Sequence, residues 1–400
     1  MKLGYLVPEF PSQTHAFFWR EVLALRALGN EVQLFSTRRP PEDACRHAFA
    51  EEARAQTRYL FPPRWIGGLW ALATLPFRAA CAVIYVLGLR ETPPARRVVL
   101  MGLLLPAIEL RAYAREMGLD HVHVHSCANA AHVAALCRLL GGPPYSLTLH
   151  GDLPVYGKDH RQKMRAAAFV ACVTKPLQRQ VCEVVGLPAE RVPVLWMGVD
   201  TQRFVDAGLR QPTRNRLHVL TVARLNAAKG HRFALEAVRQ LCDLGLDIKY
   251  SIAGEGPERS NIESEITRLA LQDRVQMLGT RSEDEVLSLL QRADGLLLPS
   301  FGSGEAAPVS VMEAMACGLP VVCSKIGGTA DMIADGESGY LVPQKDVAAI
   351  SDRLFVLASD LTLRARIGSA ARHQAVNVFD CKALADRMQS LIETTKVGVE

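Results

Sequence analysis

The feature that most constrains this chain is a pattern written twice. Short apolar runs of strand length alternate with Ala/Leu-rich stretches of helical period, stop at a polar segment, and start again. In the first half the runs are Leu3–Val7, Glu31–Ser36, His121–His125, Tyr145–Leu149, Phe169–Thr174 and Val192–Trp196. Between the first two lies a stretch with Phe18, Val22, Leu25 and Leu28 on a helical period, stopped by Gly29-Asn30. Apolar strands separated by helices are what a parallel sheet covered on both faces requires. The polar stretch Asp206–Arg216 reads as a linker, after which runs at His218–Ala223, Asp247–Ala253, Arg274–Leu278, Gly295–Pro299 and Pro320–Ser324 repeat the pattern, with helices at His231–Leu244 and Glu283–Ala293. The expectation is two successive α/β domains, residues 1–208 and 209–400, with the last helix crossing back to the first.

Composition agrees with that division. A chain of 400 residues exceeds one typical core, and 49% hydrophobic with 22% charged residues excludes a disordered or fibrous protein. The net charge of +5 has its basic excess in the first half, which suits an anionic partner but falls far short of a nucleic-acid-binding signature. The ten cysteines form no C-x-x-C pair, and Cys81, Cys137, Cys172, Cys317 and Cys323 sit in apolar runs, so reduced core thiols are expected. Because the chain opens directly on a strand-like run, no secretory signal is expected, and the reading is cytoplasmic. The apolar region from Ile66 to Leu89 is broken by Pro76 and Arg78, leaving 11 unbroken residues where a span needs about 20.

Residues 59–115 depart from the alternation. They are rich in Leu, Ala, Trp and Arg and punctuated by Pro62-Pro63 and Pro93-Pro94, so an inserted helical subdomain is expected. Two readings stay open for it: docking on an anionic membrane surface, or a helical lid packed on its own domain. His121, His123 and His125 share one strand face. Same-face neighbours stand about 6–7 Å apart, so a partly buried strand end is expected there rather than a zinc site. Trp19, Trp65 and Trp70 are read as packing residues, with an acceptor platform as the other possibility; Arg38-Arg39 and Arg96-Arg97 are read as solvated.

The richest chemistry lies between Pro299 and Pro343. A strand ending at Pro299 is followed by Gly302, Ser303 and Gly304, then Glu305, and a helix opening near Val309 that holds Glu313. A glycine loop leading into a helix N-terminus presents free N–H groups to negative charge, and Glu313 is positioned for a vicinal diol. Either glutamate could equally be a solvated helix-start acid. Upstream, Val222-Ala-Arg-Leu-Asn-Ala-Ala-Lys-Gly230 sets Arg224 and Lys229 after a strand, where ligands of open α/β folds bind. An Arg with a Lys can neutralise a diphosphate by charge-assisted hydrogen bonds. Ala253-Gly-Glu-Gly-Pro257 adds another glycine turn.

Taken in order, the R-x(4)-K-G loop, the G-x-G-P turn, the two glutamates and the E-A-M-A-x-G-x-P-V-V run resemble the retaining GT-B glycosyltransferases (glycosyl transferases group 1, family 4). Phe10-Pro11 through Glu21 resembles an exopolysaccharide or colanic-acid-type subgroup, and Tyr145–Asp152 and Gly198-Val-Asp200 resemble further family elements. The resemblance implies a GT-B fold, two Rossmann-like domains facing each other across a cleft, and transfer of a sugar from a nucleotide-diphosphate donor with retention. It implies that Arg224 and Lys229 grip the diphosphate, that Glu313 binds the ribose and Glu305 the sugar, and that His150 sits across the cleft near the donor sugar. Gly254, Glu255, Leu278 and the stretch Ala306, Ala307, Pro308 and Val309 would complete the donor site, with base contacts around Met277–Arg281. Ala306 stands where the family commonly has Gly, and Ser12-Gln-Thr-His15 where it has a glycine pair. No metal and no cofactor are implied. The acceptor would be a growing glycan, either free or carried on a polyprenyl lipid at the inner face of the membrane. The rival readings are a non-catalytic nucleotide-sugar-binding protein and another GT-B enzyme, such as a nucleotide-sugar epimerase or a phosphorylase.

Overall fold

The computed structural model describes residues 1–63, 75–302 and 305–397. Trp65, Trp70, Ser303 and Gly304, named above, lie outside them. The chain divides into two compact units: Met1–Trp196 joined by the chain from Lys382 onward, and Met197–Cys381. The division falls ahead of the polar linker, because Met197–Phe204 packs with the second unit. There Val199 pairs with Asp380, and Arg372 donates to the carbonyls of Thr201 and Phe204.

In the first unit six strands form one parallel sheet: β1 (Lys2–Glu9), β2 (Glu31–Arg38), β3 (Thr57–Tyr59), β4 (His121–Val124), β5 (Tyr145–Leu149) and β6 (Val170–Cys172), in the order β3-β2-β1-β4-β5-β6. The second unit repeats this with β7 (Arg216–Val222), β8 (Asp247–Ala253), β9 (Val275–Gly279), β10 (Gly295–Leu298), β11 (Val321–Ser324) and β12 (Tyr340–Val342), in the order β12-β11-β10-β7-β8-β9. Each is a doubly wound sheet whose order reverses at one place, between β1 and β4 and between β7 and β10. Two strands were not legible in the sequence: β3 and β12 are three residues long and borrow their pairing from β2 and β11. Conversely, Val192–Trp196 is not a strand; it makes a single bridge, Cys172 to Val194.

Local signals explain several boundaries. Thr174 accepts from the Leu177 amide ahead of the helix Lys175–Val185, and Ser282 and Glu285 form a reciprocal capping box for Glu283–Arg292. In the 59–115 region the described part holds helices Pro76–Leu87, Pro94–Met101 and Leu104–Met117. The last packs on the helix Asn129–Leu139, and Ile108 and Leu110 are buried there. The first two behave differently: Ala82, Val86 and Leu100 face inward while Phe77, Ile84, Leu87, Val98 and Val99 are exposed, Phe77 by 80% and Val98 by 73%. Trp19 is buried and stacks on Phe49, so it is a packing residue. Arg38, Arg39 and Arg96 are exposed as expected, and only Arg97 is half-buried. Arg97 donates to the carbonyls of Thr92 and Leu87, and Arg39 lies over the Tyr59 ring. All ten cysteines are unpaired, and Cys81 is half-buried rather than buried.

The β4 histidines depart from the expected partly buried strand end. All three are fully inside, and two of the rings are paired with hydroxyls of β5, His121 with Ser146 and His123 with Ser146 and Thr148, while His125, one residue past β4, lies beside Glu21 and His150. A parallel sheet buried on both faces admits a polar strand only when its neighbour supplies partners.

These buried rings set the acid stability of the first unit. Burial lowers His15 to about 4, His125 and His132 to about 3, and His123 and His150 well below their ordinary value. Above pH ~6.5 both folded and unfolded chains hold these rings neutral; below it only the unfolded chain takes up protons, so stability falls. Glu21, raised to about 7 by burial, acts in the opposite sense as a single group. The urea midpoint is expected to drop between pH 7.5 and 5.5, by up to about 1 kcal/mol per histidine for each unit below 6.5. A midpoint constant over that range would show that the rings protonate inside the fold.

Candidate active site

The loops that leave β7 and β10 flank the place where the second sheet reverses its order, and they carry the lysine and the glutamate singled out by sequence. After β7 the chain makes a single turn at Ala227–Lys229 and enters the helix His231–Asp243 through Gly230. Gly230 has φ +70°, and a Cβ there would lie 2.0 Å from the carbonyl oxygen of Pro299. Only glycine lets the Lys229 turn close onto the end of β10. On the other side, Gly327 has φ +54°, and a Cβ would fall 1.8 Å from the carbonyl oxygen of Glu305, while the Gly328 amide donates to Ala306 O at 2.7 Å. The Gly-Gly pair therefore clamps the Glu305 loop from behind.

Between these clamps the Lys229 ammonium pairs directly with Glu305 Oε2, which also accepts from Ser300 Oγ at 2.9 Å. Both side chains are mostly shielded from water. A pair in such a place is strengthened by low dielectric and holds its geometry better than an exposed one. Ser300 is a residue the sequence reading missed; it follows the strand-ending proline and carries no motif of its own. Arg224 stands exposed at the start of the same loop, and its carbonyl faces the ring of His231 at 3.5 Å. Burial lowers His231 to about 4, so it is neutral there.

The helix Val309–Ala316 begins beyond Glu305, Ala306 and the buried Ala307 and Pro308. Its N-cap is Pro308, with no side chain capping the first turn; the Val311 amide donates to the Pro308 carbonyl, and the amides ahead of it, at Val309 and Ser310, are the ones a helix N-terminus offers to an anion. Glu313 is on this helix and buried, with 7% of its surface exposed. The Gly254 amide donates to Gly279 O at 2.9 Å, Glu255 O accepts from Leu225 N at 2.9 Å while its carboxylate pairs with Arg259, and Leu278 O accepts from Arg281 Nη2 at 2.7 Å. These contacts lock the ends of β8 and β9 beside the β7 loop. The second unit thus brings Arg224, Lys229, Gly254, Glu255, Leu278, Glu305, Ala306, Ala307, Pro308, Val309 and Glu313 to the carboxyl edge of one sheet. His150 belongs to the first unit, directly after β5, among aromatic and histidine rings.

Residues 210–374 match the family model described as glycosyl transferases group 1, and residues 17–203 that of glycosyltransferase family 4. The chain is 30% identical to the "Putative colanic acid biosynthesis glycosyltransferase WcaL" of Salmonella typhimurium, across 98% of this chain and 100% of that protein. This chain belongs to that glycosyltransferase family. It is also similar to the amylovoran biosynthesis glycosyltransferase AmsK of Erwinia amylovora, 28% identical over 98% of this chain and 99% of that one. Among solved structures it resembles Anabaena HepE in complex with UDP, with TM-score 0.72, 18% identity and 98% and 100% of the two chains covered. Sucrose-phosphate synthase from Thermosynechococcus elongatus gives TM-score 0.73 at 18% identity over the whole of both chains. The glycosyltransferase therefore has the GT-B fold expected from its motifs, with two parallel six-stranded sheets.

The clamp has a direct consequence for this glycosyltransferase. Gly327→Ala must displace the Glu305 loop or strain its own backbone, and should cost about 1–3 kcal/mol in urea unfolding. Unchanged stability would mean that the loop is not held by the glycine pair.

Proposed function

We propose that this glycosyltransferase moves a sugar from a nucleoside diphosphate sugar to a hydroxyl of a growing glycan in exopolysaccharide assembly, with retention of configuration and without a divalent metal. The observation that carries the reading is the Lys229–Glu305 pair, set beside exposed Arg224 and an uncapped helix N-terminus where the second sheet reverses order. As the bond between the sugar C1 and the diphosphate oxygen breaks, its electron pair leaves with the nucleoside diphosphate, the acceptor oxygen bonds to C1, and the acceptor's hydroxyl proton passes to the departing diphosphate oxygen. Two fixed cations and the leading amides of a helix stabilise that charge as it grows, without a metal. Glu305 keeps the ammonium aimed before donor arrives and takes sugar hydroxyls afterwards; Glu313 takes the ribose diol. His150 offers a ring nitrogen to a sugar hydroxyl. The exopolysaccharide assignment is supported by the names of the colanic acid and amylovoran relatives.

The same reading covers location. Among the described residues no helix is long and apolar enough to cross a membrane. The exposed apolar face of Pro76–Leu87 and Pro94–Met101, with Arg90 and Arg96 exposed beside it, is instead suited to lying on an anionic leaflet, where a lipid-linked acceptor is presented. The proposed place of action is the inner face of the plasma membrane.

Three measurements test this. In a thermal-shift screen with UDP, GDP, ADP and their sugar conjugates, in the presence of a chelator, one nucleotide class should raise the midpoint. Arg224→Ala and Lys229→Ala should each cut turnover by about two to three powers of ten; near-normal turnover in both would remove the diphosphate assignment. For the membrane, flotation with vesicles containing phosphatidylglycerol should retain the wild type and lose a Phe77→Ser/Val98→Ser double variant. Equal flotation of both, or none of either, would refute the docking face.

A further inference from the structure

The first sheet reverses its order between β1 and β4, and at that point a line of side chains leads to His150 whose other members the proposed reaction does not employ. Tyr5 on β1, Glu21 on the helix Ala16–Ala27, His125 just beyond β4 and His150 just beyond β5 are in line. The Tyr5 hydroxyl donates to Glu21 Oε1 at 3.0 Å. The carboxylate oxygen lies 3.1 Å from His125 Nε2, at ion-pair distance but without the alignment of a full hydrogen bond, and His125 Nδ1 lies 3.1 Å from His150 Nε2. His150 Nδ1 is buried and has no protein partner. The surrounding rings leave little freedom: Tyr5 and Phe18 pack on His125 with centroids 4.4 and 4.8 Å away, and Phe17 and Phe18 pack on His150 at 5.3 and 5.4 Å. The His150 amide donates to the Tyr156 hydroxyl at 2.7 Å, and the carbonyl of Tyr156 accepts from the buried Lys163 ammonium at 3.0 Å.

The polarity of this line follows from its first member. Burial holds the Tyr5 phenol far above its ordinary value, so it stays protonated and Glu21 Oε1 is an acceptor. Burial raises Glu21 to about 7, so above that pH it is a carboxylate; a bare His125 Nε2 facing that oxygen would then set two lone pairs against each other, so Nε2 carries the proton. A neutral imidazole has one N–H and one lone pair, and burial pushes both His125 and His150 into the neutral form. His125 Nδ1 therefore accepts from His150 Nε2–H, and His150 Nδ1 is left as a lone pair. A buried acceptor without a donor is costly, by roughly 1–3 kcal/mol, unless a ligand supplies one. We propose that Glu21 and His125 are positioning residues that fix His150 in its Nε2-protonated tautomer, so that its Nδ1 accepts a hydroxyl of a sugar bound at the order reversal of the first sheet.

The inference rests on the glycosyltransferase reading only for the identity of the ligand. A bound cation is the competing use of this cluster, since Glu21, His123 and His125 have ligand atoms within 4.8 Å of one another. Both ring nitrogens of His123 are already taken, at 2.7 Å by Ser146 and 2.8 Å by Thr148. His123 would have to break one of these bonds to bind a metal, which leaves two ready ligands where a structural or catalytic zinc takes three or four.

The test is nitrogen-15 NMR of the chain labelled at histidine, with His150→Gln identifying the His150 signals by their loss. At a pH about one unit above the Glu21 value of about 7, where the carboxyl is ionised, the expected wild-type spectrum has a pyrrole-type Nε2 and a pyridine-type Nδ1 at His150, with no ligand or metal added. Glu21→Leu removes the accepting oxygen; His150 should become a mixture of tautomers, and kcat should fall by about ten- to a hundredfold, the usual effect of losing the partner that orients a histidine. Glu21→Gln, whose amide oxygen can still accept, should restore the wild-type tautomer and most of the turnover. A wild-type His150 protonated at Nδ1, or a Glu21→Leu spectrum identical to wild type, overturns the proposal. So does one zinc per chain in native mass spectrometry that is lost in Glu21→Leu. If Glu21→Leu does not fold, the wild-type spectrum alone decides. The spectrum needs no turnover, so it is independent of the transferase reading, which fails instead when no nucleoside diphosphate shifts the midpoint.

Discussion

The constraint on which everything else depends is the parallel ladder. In both sheets every pair of named strands runs parallel, from Lys2 against Glu31 in the first to Leu296 against Val321 in the second. All carboxyl ends of a sheet then emerge on one edge, and the connections leave in opposite directions at the single place where strand order reverses. In the second unit that place is β7 beside β10, and it holds Lys229 and Glu305. In the first it is β1 beside β4, and it holds Tyr5 and His125. Neither group is local in sequence; each is assembled by register.

The two assemblies differ in their electrostatics, and the difference matches what each can bind. At the second sheet the groups are ionic: an ammonium, two carboxylates, an exposed guanidinium and uncapped helix amides. Such a site meets charge with charge and suits a diphosphate. At the first sheet a single carboxylate, Glu21, backs neutral rings and a hydroxyl that are packed by Phe17 and Phe18, and His150 Nδ1 is left short of a hydrogen-bond partner. That kind of site discriminates hydroxyl from hydrocarbon, because a buried lone pair that goes unsatisfied is more costly than a pair made is favourable.

Much of the fold was legible. β5 and β8 begin and end where the apolar runs do, and the helix His231–Asp243 stops one residue short of its expected end. The failures have physical causes. β3 and β12 are too short for a periodic signal and exist because β2 and β11 offer them an edge. Val192–Trp196 is apolar enough for a strand but has only Cys172 to pair with. At the candidate active site, the order of the motifs announced Lys229 and Glu305, whereas Ser300 had no motif and is visible only as a hydroxyl 2.9 Å from Glu305. The β4 histidines were read as a strand end because no sequence rule says that Ser146 and Thr148 will lie beside them.

The sequence by itself determined the class of the protein: two doubly wound α/β units, glycine-rich loops after the strands of the second, and the residue types carried on them. Those depend on periodicity, on glycine where the backbone must approach closely, and on motif order, all of which are local. Tertiary structure decided which side chains meet. Gly327 clamps Glu305, Gly230 lets Lys229 reach it, and Glu21 is set against His125, across separations that no spacing rule encodes. The reason is that hydrogen bonds and ion pairs act over a few ångströms, and only the parallel register of the two sheets brings those atoms within that distance.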